Sequence, residues 1–436
     1  MSQNVQKTSS LTWQNLVIGL QHTMAMFGAT VLVPLLTGLD VSVTLLCAGI
    51  GTFIYHLCTK GKVPTFLGSS FAFIAAIQAV AMRMASMNNP GEPNGVGTAA
   101  YQAALPYATG GIIVAGLVYI VMAFIVYKIG AEKFLKLFPP VVTGTMIIII
   151  GLMLAPVAIQ NITANGTLVG MDLLKNWVVA IVAIATIVCI SLFTKGFFKL
   201  VPILFGILAG YLVSVAFGLV DFSIINSKPF FSVPKLMFPK FDIGSILLIA
   251  PIAIVTFVEH VGDVTASSAV VGKNFMKDPG LHRTLLGDGL ATVVAGILGG
   301  PANTTYSENT SVLATTHNYN PATLRIAAVY AILLAFLSKF AAVIQTLPSA
   351  VTGGVSIVLY GMIASVGLRN LVEHQVNFRR SRNLYIAAVM LVIGLGGATL
   401  RITDTVSFSG VALSAILGIV LNLILPEHID KVEEEK

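Results

Sequence analysis

The chain has 436 residues, of which 56% are hydrophobic and only 10% charged, with a mean hydropathy of +0.90. Soluble domains carry about 25% charged residues, so a soluble globular domain is excluded and an integral membrane protein is expected. The net charge of +7 lies in loops and forms no basic stripe, so nucleic acid is not an expected partner.

The stretch Met1–Thr12 is polar, and no small-residue cleavage signature precedes the first apolar run, so the first span is expected to be retained. About fourteen apolar segments follow, at 15–36, 42–58, 63–82, 107–127, 138–159, 176–193, 200–220, 244–264, 284–300, 303–316, 323–344, 349–368, 384–398 and 408–425. Runs such as Met146–Leu154 lack the polar–apolar alternation of a transmembrane barrel, so the spans are expected to be helices. An even number places both termini on one side. With the termini inside, Lys and Arg are about threefold more frequent in the inner loops than in the outer ones. Cys47, Cys58 and Cys189 are scattered and read as packing residues, with no disulfide framework and no metal spacing.

Two segments are poor helix in their first half. The third contains Pro64-Thr65-Phe66-Leu67-Gly68-Ser69-Ser70-Phe71-Ala72-Phe73, and the tenth opens Pro301-Ala302-Asn303-Thr304-Thr305-Tyr306-Ser307-Glu308. Splitting the spans into two halves of seven puts each at the third position of its half. An odd repeat unit gives inverted topology, and paired broken helices at matching positions point to a transporter binding site. Their extended halves are tolerable only beside a cavity or packed protein.

Four acids fall in or at the edge of apolar segments: Glu259, Asp263, Asp288 and Glu308. Glu259 and Asp263 are spaced i, i+4 and share a helix face. A carboxylate in hydrocarbon costs roughly 3 kcal/mol, which marks it as a functional candidate. Two like charges one turn apart also disfavour double ionisation, so this pair is expected to hold a proton. Glu308 sits where a helix restarts, beside free N–H groups at a positive dipole end. Such donors beside carboxylate acceptors suit a small planar ligand with alternating N–H and C=O groups, and Phe71, Phe73 and Tyr306 offer it aromatic faces. His22, in the first span, reads first as a hydrogen-bonded packing residue. Asp288 is placed near the cytoplasmic end of segment nine. No HExxH, GxSxG, P-loop or zinc-spaced cluster is present, so no metal, cofactor or catalytic residue is expected.

Gln21-His22 through Pro34, Gly68–Phe73, Glu259-His260-Val261-Gly262, Asp278–Arg283, Asn303–Asn309 and Leu359-Tyr360-Gly361 together resemble the nucleobase–ascorbate transporter family, in its bacterial uracil-permease branch. The resemblance runs from about residue 14 to 425. It implies an all-α polytopic membrane protein with 14 transmembrane segments in two inverted repeats of seven. It further implies a core domain from 14–127 and 244–346, and a gate domain from 128–243 and 347–436. It implies a homodimer in the bacterial inner (plasma) membrane, surrounded by lipid, whose core moves against its gate as an elevator, and the charge bias places both termini in the cytoplasm. Glu259 and Glu308 then bind the ring. The backbone at Ser70, Phe71 and Ser307 faces it, and Ala29, Tyr306 and Tyr360 form pocket walls. His22 and Asn309 form a supporting pair, and Glu259, Asp263 and Asp288 couple protons. The pattern is broken where Asp263 replaces the histidine of uracil permeases, where Ser307 replaces a glycine, and at Ser311 and His317.

The leading expectation is therefore proton-coupled import of a nucleobase, uracil first. The alternative within the class is xanthine or another purine. A third reading is an anion carrier or channel on the same fold, which favours a cation near the site; the sequence points to none. An enzyme is the least expected, because no nucleophile–base set is present.

Overall fold

The computed structural model describes residues 12–164, 166–401 and 407–426 and is 76% helical. Helices α1 (Trp13–Thr37) and α2 (Val41–Cys58) each begin at a side-chain cap. Thr12 Oγ1 accepts from the Asn15 N–H at 3.2 Å, and Asp40 Oδ1 from the Val43 N–H at 2.9 Å. Strand β1 (Leu67–Ser69) leads through a single 3-10 turn at Phe71–Phe73 into α3 (Ile74–Asn88). Helix α4 (Ala99–Ile129) has 31 residues, well beyond the roughly 20 needed to cross hydrocarbon. Then come α5 (Ala131–Leu135), α6 (Pro140–Met153), α7 (Ala155–Thr163), α8 (Gly170–Phe193), α9 (Phe197–Leu200), α10 (Pro202–Ala216) and α11 (Ser223–Ser227). The second half holds α12 (Ile243–Ile249), α13 (Ile252–Val271), α14 (Leu281–Leu298), β2 (Asn303–Thr305) and α15 (Ser307–Thr316). It ends with α16 (Pro321–Phe336), α17 (Ser338–Gln345), α18 (Ser349–Glu373), α19 (Ser381–Leu395), the pair β3 (Leu400–Arg401) and β4 (Ser407–Phe408), and α20 (Gly410–Ile424).

Among the described residues, nine helical stretches are long and apolar enough to cross a membrane, or ten if α16 and α17 count as one bent span. Helices α10, α19 and α20 are shorter and apolar. The placement of the termini rests on residues outside those described. Two expected segments differ in form. The eighth is expected to end near 264, but α13 continues to Val271, so Asp263 lies well short of the helix end. The eleventh is bent by 79° between α16 and α17. Leu337 leaves helical geometry there, and the incoming loop supplies competing bonds. Ser232 N–H donates to Phe336 O at 3.1 Å, and Ser338 Oγ donates to Pro229 O at 2.7 Å.

Helix α4 packs against α3 and α14, α14 also against α2, α2 against α16, and α16 against α1. A second set is built on α18, which packs on α6, α7, α8 and α10, with α19 on α20 and α6. The α4–α14 contact is backbone to backbone. A Cβ on Gly116 would lie 2.8 Å from Gly289 O, and one on Gly289 2.9 Å from Gly116 O. Large apolar side chains such as Phe124, Leu192, Phe193 and Leu212 stay exposed on the outer flanks, as a lipid-facing surface requires. Cys47 is buried in the packing, whereas Cys58 is half-buried and Cys189 faces outward.

Candidate functional site

The two broken segments meet. Strands β1 and β2 pair antiparallel, with Leu67 opposite Thr305, Gly68 opposite Thr304 and Ser69 opposite Asn303. Two further backbone bonds extend the ribbon: Ser70 N–H to Ala302 O at 2.8 Å and Tyr306 N–H to Phe66 O at 3.1 Å. Each strand thus satisfies the polar backbone of the other, which is what allows extended chain at membrane depth. Side chains tie the ribbon to its surroundings. Ser69 Oγ donates to Thr30 O at 2.9 Å, Leu67 N–H to Thr52 Oγ1 at 2.9 Å, and Asn303 Nδ2 to Cys47 O at 3.1 Å. The Tyr306 ring lies against Gly68, where a Cβ would collide with it, and its hydroxyl donates to Ser69 O at 2.8 Å. Beyond the strands the chain restarts as helix at both ends of the ribbon, at Phe71 into α3 and at Ser307 into α15. Both starts present first-turn N–H groups and a positive dipole end.

Helix α13 runs beside α15 and the ribbon and brings the acids. Asp263 Oδ2 accepts from Thr305 Oγ1 at 2.8 Å, so this carboxylate is bonded to β2. Glu259 lies within electrostatic range of Glu308 and Asp288, and Asp263 within range of Glu259 and Glu308. Asp288 does not sit at a helix end exposed to water. It is wholly buried in the middle of α14 and pairs with His260, Nδ1 to Oδ2 at 2.7 Å. The other ring nitrogen of His260 reaches Thr284 Oγ1 at 2.9 Å, and the Thr284 hydroxyl gives its own proton to Leu281 O at 2.9 Å. One turn earlier on α13, Thr256 Oγ1 accepts from Tyr119 of α4 at 2.6 Å.

Other expected site residues separate into two groups. Glu308 and Ser311 open onto a cavity of about 140 Å³, lined also by Met24 and Gly28 of α1, Lys199 of α9 and Met362 of α18. Ser307, at the start of the same helix, is exposed. Phe71 is half-buried and meets Tyr360 of α18 edge-on, ring centres 6.5 Å apart. Ala29 and Tyr306 are packed among apolar side chains of α1, α2 and α16, with the Tyr306 hydroxyl bonded to the ribbon. Ser70 is buried, and its hydroxyl has no partner among the described residues. Asn309 Nδ2 donates to His22 Nδ1 at 3.1 Å and to His22 O at 3.0 Å, joining α15 to α1. Among the described residues no cluster of His, Cys, Asp or Glu has the arrangement of a metal site.

Three contributors escaped the sequence reading. His260 carries a visible signal, a membrane histidine next to Glu259, but its partner lies 28 residues away in sequence. Thr305 is one of many hydroxyls in its segment. Lys199 counts only toward topology in the sequence, yet it lines the same cavity as Glu308.

Residues 13–403 match a family model described as "Permease family". The chain is 46% identical to the uracil permease of Bacillus caldolyticus over 95% of this chain and 92% of that protein. It is 43% identical to the probable uracil permease of Haemophilus influenzae over 95% of each. Among solved structures, the overall structure of SLC26A9 matches with a TM-score of 0.70 at 14% identity, over 94% of this chain and 64% of that one. The transmembrane domain of a cyanobacterium bicarbonate transporter, BicA, matches with a TM-score of 0.63 at 14% identity, over 94% of this chain and 96% of that one.

Proposed function

We propose, from the premise that this chain belongs to the permease family of nucleobase–ascorbate transporters, that it imports a nucleobase, most directly uracil, together with protons. It is a permease and not an enzyme, and it is integral to a membrane. The observation that carries the reading is the packing of α13, with Glu259, against α15, with Glu308 in its first turn, beside two paired strands that each lead into a helix N-terminus. In this reading the carboxylates accept from ring N–H groups. Backbone N–H groups at Ser70, Phe71 and Ser307 meet the ring carbonyls, and Phe71 with Tyr360 bounds the ring face. His22 and Asn309 hold α15 in place, and Ala29 and Tyr306 back the site from behind. The names of the two relatives favour uracil; xanthine is the alternative within the class.

The proton is assigned to Glu259 with Asp263, because these acids share one helix face and feel each other's charge. Asp288 takes part through His260, to which it is hydrogen-bonded. For the architecture we propose 14 spans in two inverted seven-span repeats, supported by the antiparallel meeting of the third and tenth segments. The α1–α4 and α12–α17 helices form the moving core, and the α6–α10 and α18–α20 helices form the gate of an elevator. A homodimer in the inner membrane with cytoplasmic termini completes the proposal.

A second reading, anion carriage, is favoured by the bicarbonate transporter's shared fold and by Lys199 on the cavity. A thermal-shift screen of the purified protein separates the readings, since a ligand of the native state raises apparent stability. Uracil is expected to raise the melting temperature in a concentration-dependent way, with xanthine weaker. Stabilisation by bicarbonate and by none of the bases would overturn the nucleobase reading.

A further inference from the structure

The lining of the Glu308 cavity includes one acid and one lysine. Glu308 and Ser311 come from α15, and Lys199 comes from α9, the short helix between α8 and α10. The titratable and charged groups that face Glu308 are few. Glu259 and Asp263 approach from α13 and Tyr306 from its own helix start, while His22 of α1 is engaged with Asn309 next door. Tyr360 lies on α18. Lys199 is the only lysine or arginine lining the cavity, and among the described residues it has no ion-pair partner. Lys199 is exposed, on a short helix in the connection that the charge bias assigns to the cytoplasmic end.

We infer that Lys199 is the counter-cation of Glu308 in the emptied carrier: once the ligand has left toward the cytoplasm, its ammonium moves onto the carboxylate and lets the empty site return. This rests on the transport reading above. The physical need is plain. A bare carboxylate must not be dragged through the low-dielectric part of the cycle, and the ligand that covered it has gone. A proton from the cytoplasm, or a cation on a long flexible arm, can take the ligand's place. Lysine has that arm, with three rotatable donors on a four-carbon stem. While ligand occupies the site, its ring N–H groups take the carboxylate and Lys199 stays in solvent. The residue therefore acts on the return of the empty carrier more than on the loaded step.

The test compares wild type, Lys199→Met and Lys199→Arg in proteoliposomes, with labelled uracil as the probe. Net uptake into empty vesicles requires the empty carrier to return, whereas exchange into vesicles preloaded with unlabelled uracil does not. In Lys199→Met the ratio of net uptake to exchange is expected to fall about fivefold, the upper end for one solvent-exposed ion pair. Lys199→Arg is expected to keep the wild-type ratio. Lowering the pH equally on both faces, so that no gradient opposes uptake, is expected to restore the ratio in Lys199→Met, because a proton then does what the lysine did; a purely structural role would not respond. An unchanged ratio in Lys199→Met, or equal losses of net uptake and exchange, overturns the inference. Absence of both fluxes in wild type overturns the transport reading itself and the inference with it.

Discussion

His260 Nδ1 lies 2.7 Å from Asp288 Oδ2, in a pair with no exposure to solvent at either side chain. The second ring nitrogen is held by Thr284, so the imidazole is fixed from both ends. The pair ties α13 to α14 at the residue next to Glu259. Removing one partner leaves the other buried without compensation. Asp288→Ala is expected to destabilise the protein by about 3–5 kcal/mol, read as a lower melting temperature in detergent. Joint replacement of both residues by apolar side chains is expected to recover part of that loss. A wild-type melting curve for Asp288→Ala would show that the pair contributes nothing.

Thr305 links the strand ribbon to α13 through its bond to Asp263. A buried hydrogen bond contributes about 0.5–1.5 kcal/mol net. Thr305→Val keeps the shape and the β-branch but removes the donor, whereas Thr305→Ser keeps the donor. The valine variant is expected to bind uracil about tenfold more weakly, equivalent to about 1.4 kcal/mol, and the serine variant to stay near wild type. Titration calorimetry decides it, and equal affinities for the two variants would detach Asp263 from the ribbon's function.

Gly68 leaves room for the Tyr306 ring to pack close against β1, and the Tyr306 hydroxyl donates to Ser69 O and holds the ring there. Gly68→Ala is therefore an overpacking change, with an expected cost of about 1–3 kcal/mol and loss of uracil-induced stabilisation. Tyr306→Phe removes only the hydroxyl and is expected to cost about 1 kcal/mol. The ordering of the two melting temperatures is the measurement: an alanine variant at least as stable as the phenylalanine variant contradicts the packing argument.

Proton coupling predicts a direction. If a proton enters with the base, lowering the external pH at constant internal pH raises uptake, across about pH 8 to 5. Glu259→Gln cannot exchange a proton at that position and is expected to lose concentrative uptake and its dependence on the gradient. Glu308→Gln is expected to weaken binding first, by removing an acceptor for a ring N–H. Flux of labelled uracil under imposed pH gradients reads both. Gradient-driven accumulation by Glu259→Gln would move the proton elsewhere.

The sequence by itself determined the membrane class, the helical spans and the two interrupted segments, because apolar composition, span length and helix-breaking residues are local properties. It also picked out Glu259, Asp263, Asp288 and Glu308, since a charge inside an apolar run is visible without any partner. Only the tertiary structure decided what those residues do to one another. Pairing of Leu67 with Thr305, the His260–Asp288 contact, the turning of Tyr306 inward onto Gly68 and the arrival of Lys199 at the Glu308 cavity all join stretches far apart in the chain. Such contacts depend on how helices are rotated and stacked. Periodicity tells which face of a helix is apolar, but a buried polar group finds its partner only when the backbones are brought together.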